Sequence, residues 1–303
     1  MENKMVKQEK APKAQEIPEE EFDEENDEEV QASDIPTPTT QAPEKQAQIT
    51  SAEPEMTATI PTADFKAFLE VGRALDLTEL NFTVNKDGMA YQGMDATQVG
   101  MACAEIQCKT ELHGQSSASF SADLMQIYRL MGKKLWTDAT LTITKKGNRL
   151  TISSQNGSEK LEGEEIKGVS RYQKEPTVPP GLKFLFPSSG LVEDISKGAL
   201  ISAHITFDYI PTMETLFVRA VGDVFTLTRK SLGVKQSPEL QAEKCTFPAS
   251  YLLDISKAIR RVGGEGGATF LYLKRNMPVK IEGGMCENRG KYRYYLAPRV
   301  EDD

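Results

Sequence analysis

Histidine is scarce in this chain: His113 and His204 are the two among 303 residues. There are four cysteines, Cys103, Cys108, Cys245 and Cys286, and no two stand in a C-x-x-C pair. Together they argue against a zinc site, which needs several thiolate or imidazole ligands at close spacing. The expectation is four reduced thiols in a reducing compartment. No run of eighteen apolar residues exists, so no membrane-spanning helix is expected. The opening "MENKMVKQEK" has no apolar stretch, which excludes a secretory signal there. Catalytic signatures are missing as well. No G-x-x-x-x-G-K-[ST] loop occurs, and "GGEGG" (263–267) lacks the lysine that such a cradle requires. G-x-S-x-G is absent. A lone histidine has no partner to make it a base. The chain reads as a non-enzyme without cofactor or metal.

Charge is abundant but unevenly spread. The net charge is -9. Residues 1–55 carry 16 acidic and 5 basic side chains, a net of -11, which leaves 29 acids and 31 bases in residues 56–303. The first segment includes "IPEEEFDEENDEEV" (17–30) and a Pro- and Thr-rich run. Its composition cannot bury enough apolar surface to offset chain entropy, so a solvated, disordered extension is expected. Carboxylates in such a run cannot hold the fixed separation that acid–base chemistry needs.

After residue 56 one pattern occurs four times: a helix, a strand, a turn and a second strand. The helical stretches are 62–75, 121–134, 188–201 and 248–263. In the first, Phe65, Phe68, Leu69 and Leu75 fall at helical spacing, and Asp64 is placed to serve the open N–H groups of the first turn. The ribbons that follow are 79–95, 139–155, 204–222 and 268–284. The first turns at Asp87-Gly88, a strong hairpin signal. "VEDISKGAL" and "LLDISKAIR" echo one another. Four copies argue for internal duplication. Helices on one face of antiparallel sheets give an α+β fold of two similar domains. The Glu-, Gly- and Pro-rich stretch 161–180 reads as their connector. The division is 1–55 extension, 56–160 first domain, 161–180 connector and 181–303 second domain.

Four stretches then resemble one family. "QGMDATQVGMA" (92–102) is similar to its Met-Asp signature, with Gln98 where a histidine is usual. "FPASYLLDISKAI" (247–259) and "NMPVKIEGG" (276–284) follow in the same order. "KYRYYLAPRVEDD" (291–303) resembles the Tyr-Tyr-Leu-Ala-Pro terminus very closely. The family is proliferating cell nuclear antigen, the sliding clamp of archaeal and eukaryotic type. The resemblance covers residues 56–303 and leaves out the acidic extension.

This resemblance implies a closed ring of three two-domain subunits around duplex DNA, with helices inward and sheets outward. A clamp that slides needs sequence-independent attraction to phosphates. The implied DNA-facing residues are Lys66, Arg73, Arg129, Lys133, Lys134, Lys197, Lys257, Arg260 and Arg261. Lys66 and Arg73 are two helical turns apart and share a face. It also implies a pocket for the short peptides of polymerase, clamp loader, flap nuclease and DNA ligase. That pocket would be built from Met94, Gln98, Val99, Val169, Tyr172, Pro278, Tyr295, Leu296, Ala297 and Pro298. On residue type alone, 294–298 could equally be an edge strand of the last sheet. Subunits would join through strands near 159–166, carrying Glu162, Glu164 and Glu165, and near 224–230, carrying Arg229 and Lys230. A homotrimer is implied, cytoplasmic and nucleoid-associated in an archaeon or nuclear in a eukaryote. The alternative is an adaptor, or a heteromeric-ring subunit, that scaffolds proteins without encircling DNA by itself.

Overall fold

The computed structural model describes residues 55–132, 136, 139–168, 174–238, 241–264 and 267–299. The expected extension thus lies outside the described residues except for Glu55. The first half runs β1 (Met56–Pro61), α1 (Thr62–Arg73), β2 (Glu79–Asn85), β3 (Gly88–Met94), β4 (Gly100–Ile106), β5 (Lys109–Leu112), β6 (Ser117–Asp123), α2 (Leu124–Gly132), β7 (Thr140–Lys146), β8 (Arg149–Ser154) and β9 (Lys160–Glu164). The second runs β10 (Leu182–Pro187), α3 (Ser188–Ala199), β11 (His204–Ile210), β12 (Thr215–Val221), β13 (Thr226–Lys230), β14 (Val234–Lys235), β15 (Glu243–Pro248), α4 (Ala249–Gly263), β16 (Ala268–Leu273), β17 (Val279–Met285) and β18 (Gly290–Leu296).

The repeated unit is one strand longer at its start than the sequence suggests: strand, helix, hairpin. Pro61, Pro187 and Pro248 end the leading strand and stand at the helix N-caps of α1, α3 and α4. Proline suits that place because its fixed φ closes the strand and no N–H is lost from the helix. Two sequence expectations are corrected. Residues 121–123 are the end of β6, not the start of a helix. Asp64 makes no cap hydrogen bond on α1. Its carboxylate instead receives Arg289 Nε at 2.8 Å and Nη2 at 3.0 Å.

The units interlock in pairs. β1 leads the first unit but pairs with β7 of the second, while β6 of the second pairs with β2 of the first. The second half repeats this exchange, β10 with β16 and β15 with β11. Three antiparallel sheets result, in the orders β5-β1-β7-β8-β9, β14-β10-β16-β17-β18-β4-β3-β2-β6 and β13-β12-β11-β15. The nine-stranded sheet joins the halves through β18 against β4, Tyr294 opposite Ala102. The terminal strand is therefore interior to its sheet, not at an edge. Tyr292, Tyr294 and Leu296 are fully buried on one of its faces. Tyr294 donates its hydroxyl to the Val71 carbonyl of α1 at 3.0 Å.

The helices pack on the sheets and on one another. α1 packs against α2 and α4, and α4 against α3. Beneath α1, Phe68 meets Tyr91 edge-on at 4.7 Å and Phe82 stacks on Phe120 at 4.9 Å. Each such ring removed from water contributes roughly 1.5–3 kcal/mol. The β2–β3 turn demands its glycine. Gly88 has φ +144°, and a Cβ there would stand 2.0 Å from the Ile106 carbonyl oxygen. No helix among the described residues is long and apolar enough to cross a membrane.

Candidate nucleic-acid and partner interfaces

Seven of the nine cations expected to face DNA are described, and they fall on all four helices. Arg129, Lys197, Arg260 and Arg261 are exposed, and Lys66, Arg73 and Lys257 are half-buried. Lys133 and Lys134 lie outside the described residues. Lys257 pairs with Asp254 at 3.7 Å. Arg73 and Arg261 are tied to one buried carboxylate. Glu70 receives Arg73 Nε at 2.8 Å and Nη2 at 2.6 Å. It receives Arg261 Nη1 at 2.6 Å and the Tyr128 hydroxyl at 2.5 Å. The Arg73 guanidinium also lies 5.4 Å from the Tyr128 ring centre. Burial pushes the Glu70 carboxyl up, but the bonds from Arg73, Tyr128 and Arg261 outweigh it and hold it below the usual range. Periodicity marked Arg73 and Arg261 but not Glu70, because the node joins α1, α2 and α4 across 191 positions of chain.

The opposite face of β18 carries Tyr295, one of the residues expected to line a peptide pocket. Tyr295 is 5% exposed and packs with Met101 and Cys103, flanked by Met94 and Val178. The segment 174–180 roofs it. Tyr295 donates its hydroxyl to Glu175, which also accepts Arg293 Nε at 2.8 Å. Arg293 reaches Glu105 at 2.8 Å as well. Burial first, and the Glu175 bond second, push the Tyr295 phenol up. Leu296 needs correction: it is fully buried in the main core and offers no surface to a ligand. Val99, Pro278, Ala297 and Pro298 are half-buried. The Ala297 N–H donates to the Val99 carbonyl at 2.8 Å, which sets the C-terminal segment beside the Met-Asp loop. Gln98 is exposed at the tip of that loop, with φ +59°. Val169 and Tyr172 lie outside the described residues. Pro298 lines a cavity of about 330 Å³ together with Glu243, Arg275 and Arg299.

Sequence reasoning passed over Asp95 as a working residue, although its motif was noticed. Asp95 accepts the Gly100 N–H at 2.6 Å and the Tyr251 hydroxyl of α4 at 2.6 Å. Thr97 also bonds it through its hydroxyl. It therefore closes the β3–β4 turn and ties that turn to the second half. Burial pushes Asp95 up, and these hydrogen bonds reverse the shift to a net lowering.

The expected joining strands are end strands: β9 closes one sheet and β13 another. Glu162 and Glu164 are exposed on β9. Glu165 is already engaged, paired with Lys145 at 3.0 Å and accepting the Ser121 N–H. Arg229 is likewise committed within the chain, to Asp194 at 3.0 Å and Glu193 at 2.5 Å. Lys230 is exposed. An apolar patch beside β13 was missed: Leu200, Val221, Val224 and Phe225 are all more than two-thirds exposed. Exposed apolar clusters of this kind mark contact surfaces.

A cavity of about 1020 Å³ lies elsewhere, between the end of α4 and the β17–β18 turn. Its glycine-rich wall gathers no convergent set of catalytic groups. The four cysteines are free. Burial pushes Cys108 up to about 11 and Cys103, Cys245 and Cys286 to about 12, so none is an activated nucleophile. No cluster of metal-ligating side chains occurs among the described residues.

No family model matches the chain. It is 26% identical over 256 residues to a protein named DNA polymerase sliding clamp from Methanoculleus marisnigri, covering 81% of this chain and 99% of that one. The protein of the same name from Methanosarcina mazei is 26% identical over 237 residues, 76% of this chain and 93% of that one. Among solved structures, A. fulgidus PCNA bound to the C-terminal region of FEN-1 superposes with a TM-score of 0.69 at 17% identity, covering 82% of this chain and all of that one. PCNA from Thermococcus kodakaraensis gives 0.66 at 18% identity, over 80% of this chain and all of that one. These structural matches establish the clamp fold, and the resemblance read from the terminal motif holds.

Proposed function

We propose that the chain is a DNA sliding clamp of PCNA type, a processivity factor that encircles duplex DNA and tethers a replicative polymerase. The observation that carries the reading is the likeness to archaeal DNA polymerase sliding clamps over nearly their whole length. The fold supports it, with cation-bearing helices in one layer and sheets in the other. The domain division at 56–160, 161–180 and 181–303 is part of this proposal and is supported by the two interlocked pairs of units.

A clamp acts as a tether and has no reaction of its own to catalyse. Diffuse cations hold phosphates without reading bases, so the ring can move. Three copies would close through β9 of one and β13 of the next. Backbone N–H and C=O groups of those end strands would supply the pairing, and Val221, Val224 and Phe225 the apolar contact. Polymerase, clamp loader, flap nuclease and ligase would dock by a short peptide at Met94, Val99, Pro278, Ala297 and Pro298, with buried Tyr295 supporting that surface from beneath. The similar A. fulgidus clamp is bound to a FEN-1 C-terminal region, so a peptide of that kind is a fitting probe. The test is polymerase synthesis on primed circular DNA with a clamp loader. Products should lengthen when this protein is added. Unchanged product length, together with monomeric mass by light scattering, would overturn the reading.

A further inference from the structure

We propose that Glu70 sets the strength of the helix layer's grip on DNA, by fixing Arg73 and Arg261 in place and cancelling one of their two charges; this rests on the clamp reading above. Glu70 is 3% exposed, while the Arg261 side chain is 54% exposed and Arg73 26%. The carboxylate is thus hidden and both guanidiniums reach solvent. Arg73 shares a helix face with Lys66, and Arg261 shares one with Lys257, four residues earlier. The node therefore sits among the cations assigned to the phosphates.

Its charge is +1 where two free arginines would give +2. Arg73 is held bidentate and also lies over Tyr128. Arg261 contacts Glu70 through Nη1 and keeps an exposed guanidinium edge. The Tyr128 hydroxyl occupies Oε2, so the carboxylate is bonded at both oxygens and cannot turn away. Stability alone is a poor account of this arrangement, since burying an ion pair costs desolvation that apolar packing avoids. A sliding ring, by contrast, benefits from weak contacts. Each phosphate neutralised adds about 0.9 to the slope of log affinity against log salt. Glu70 keeps one such contact from forming fully.

The experiment is fluorescence anisotropy of the full chain on a duplex oligonucleotide across a salt series. Glu70→Gln, which keeps shape and removes charge, should steepen the slope by about 0.9 and tighten binding severalfold at low salt. The double variant Glu70→Gln/Arg73→Gln restores a charge of +1 and should return to the parent slope. Arg73→Gln alone should fall about 0.9 below the double variant, which keeps the test open even if Glu70→Gln does not fold. A brace without electrostatic effect would lower melting temperature but leave Glu70→Gln at the parent slope and the double variant at the slope of Arg73→Gln alone, and that outcome overturns the inference. A parent protein with no salt-dependent DNA binding would instead overturn the clamp reading, and the inference with it.

Discussion

Tyr295 and Glu175 are joined by a hydrogen bond from phenol to carboxylate across 120 positions of chain. The bond fastens segment 174–180 over the Tyr295 face of β18. Arg293, two residues before Tyr295 on the same face, holds the same carboxylate. The ring expected to form an open pocket wall is therefore roofed by the chain itself. Removing the whole ring would open a core cavity and cost about 3–5 kcal/mol, so truncation to alanine would confound binding with folding.

A gentler pair tests the socket. Tyr295→Phe removes only the hydroxyl, and Pro298→Ala removes the rigid segment after β18. The double variant should bind a FEN-1 C-terminal peptide at least tenfold more weakly, about 1.4 kcal/mol, with unchanged mass. Calorimetric titration and light scattering on one sample check this. Parent-like affinity would show that neither the Tyr295–Glu175 bond nor Pro298 supports the socket.

Asp95 should make the fold acid-sensitive. Its folded carboxyl lies below the usual range. The stabilisation is fully present above the unfolded carboxylate value, about pH 3.9, and is lost as pH falls through the lowered folded value. Asp95→Asn should melt several degrees lower at pH 7, since a buried acceptor set worth about 1–3 kcal/mol is weakened. Its melting temperature should also fall less than the parent's as pH drops below the unfolded carboxylate value of about 3.9 and through the lowered folded one. Parallel acid profiles would show that the Asp95 bonds are not maintained in solution.

The two cations of β13 should part company. Arg229→Glu places a third acid beside Glu193 and the fully buried Asp194. Breaking a buried pair leaves a charge uncompensated, so the variant should lose about 5 °C or more in melting temperature. Lys230→Glu should leave melting unchanged. Phe225→Asp, at an exposed apolar site, should shift mass from trimer toward monomer without altering melting of the subunit. Scanning calorimetry and light scattering at low micromolar concentration separate the two effects.

Removal of residues 1–54 should leave folding intact. Every described core residue lies at Met56 or beyond. The truncated chain should match the parent's melting temperature within about 1 °C, well under the shift that a lost kcal/mol would give. A truncated chain that fails to fold would mean the acidic extension supplies structure its composition does not suggest.

Much was legible in the chain because it is local. Helical spacing of Phe65, Phe68 and Leu69, the Asp87-Gly88 turn and the repeated helix–hairpin order depend on residues within one or two turns of each other. Motifs such as "YYLAPR" are likewise contiguous. Partners far apart in sequence were decided only by tertiary structure. Nothing near Asp64 announces Arg289, 225 positions away, so a capping role was the natural local reading and was wrong. Period two says that Tyr294 and Tyr295 face opposite ways. It does not say that β4 pairs with β18, that Leu296 is sealed in the core, or that Glu175 covers Tyr295. Charge alone offered Arg229 to a neighbouring subunit, whereas burial of Asp194 claims it within the chain, because an ion inside protein needs its partner close at hand. The unit and its terminal motif were set by sequence, and the free edges, covered faces and spoken-for charges by the packing of distant segments.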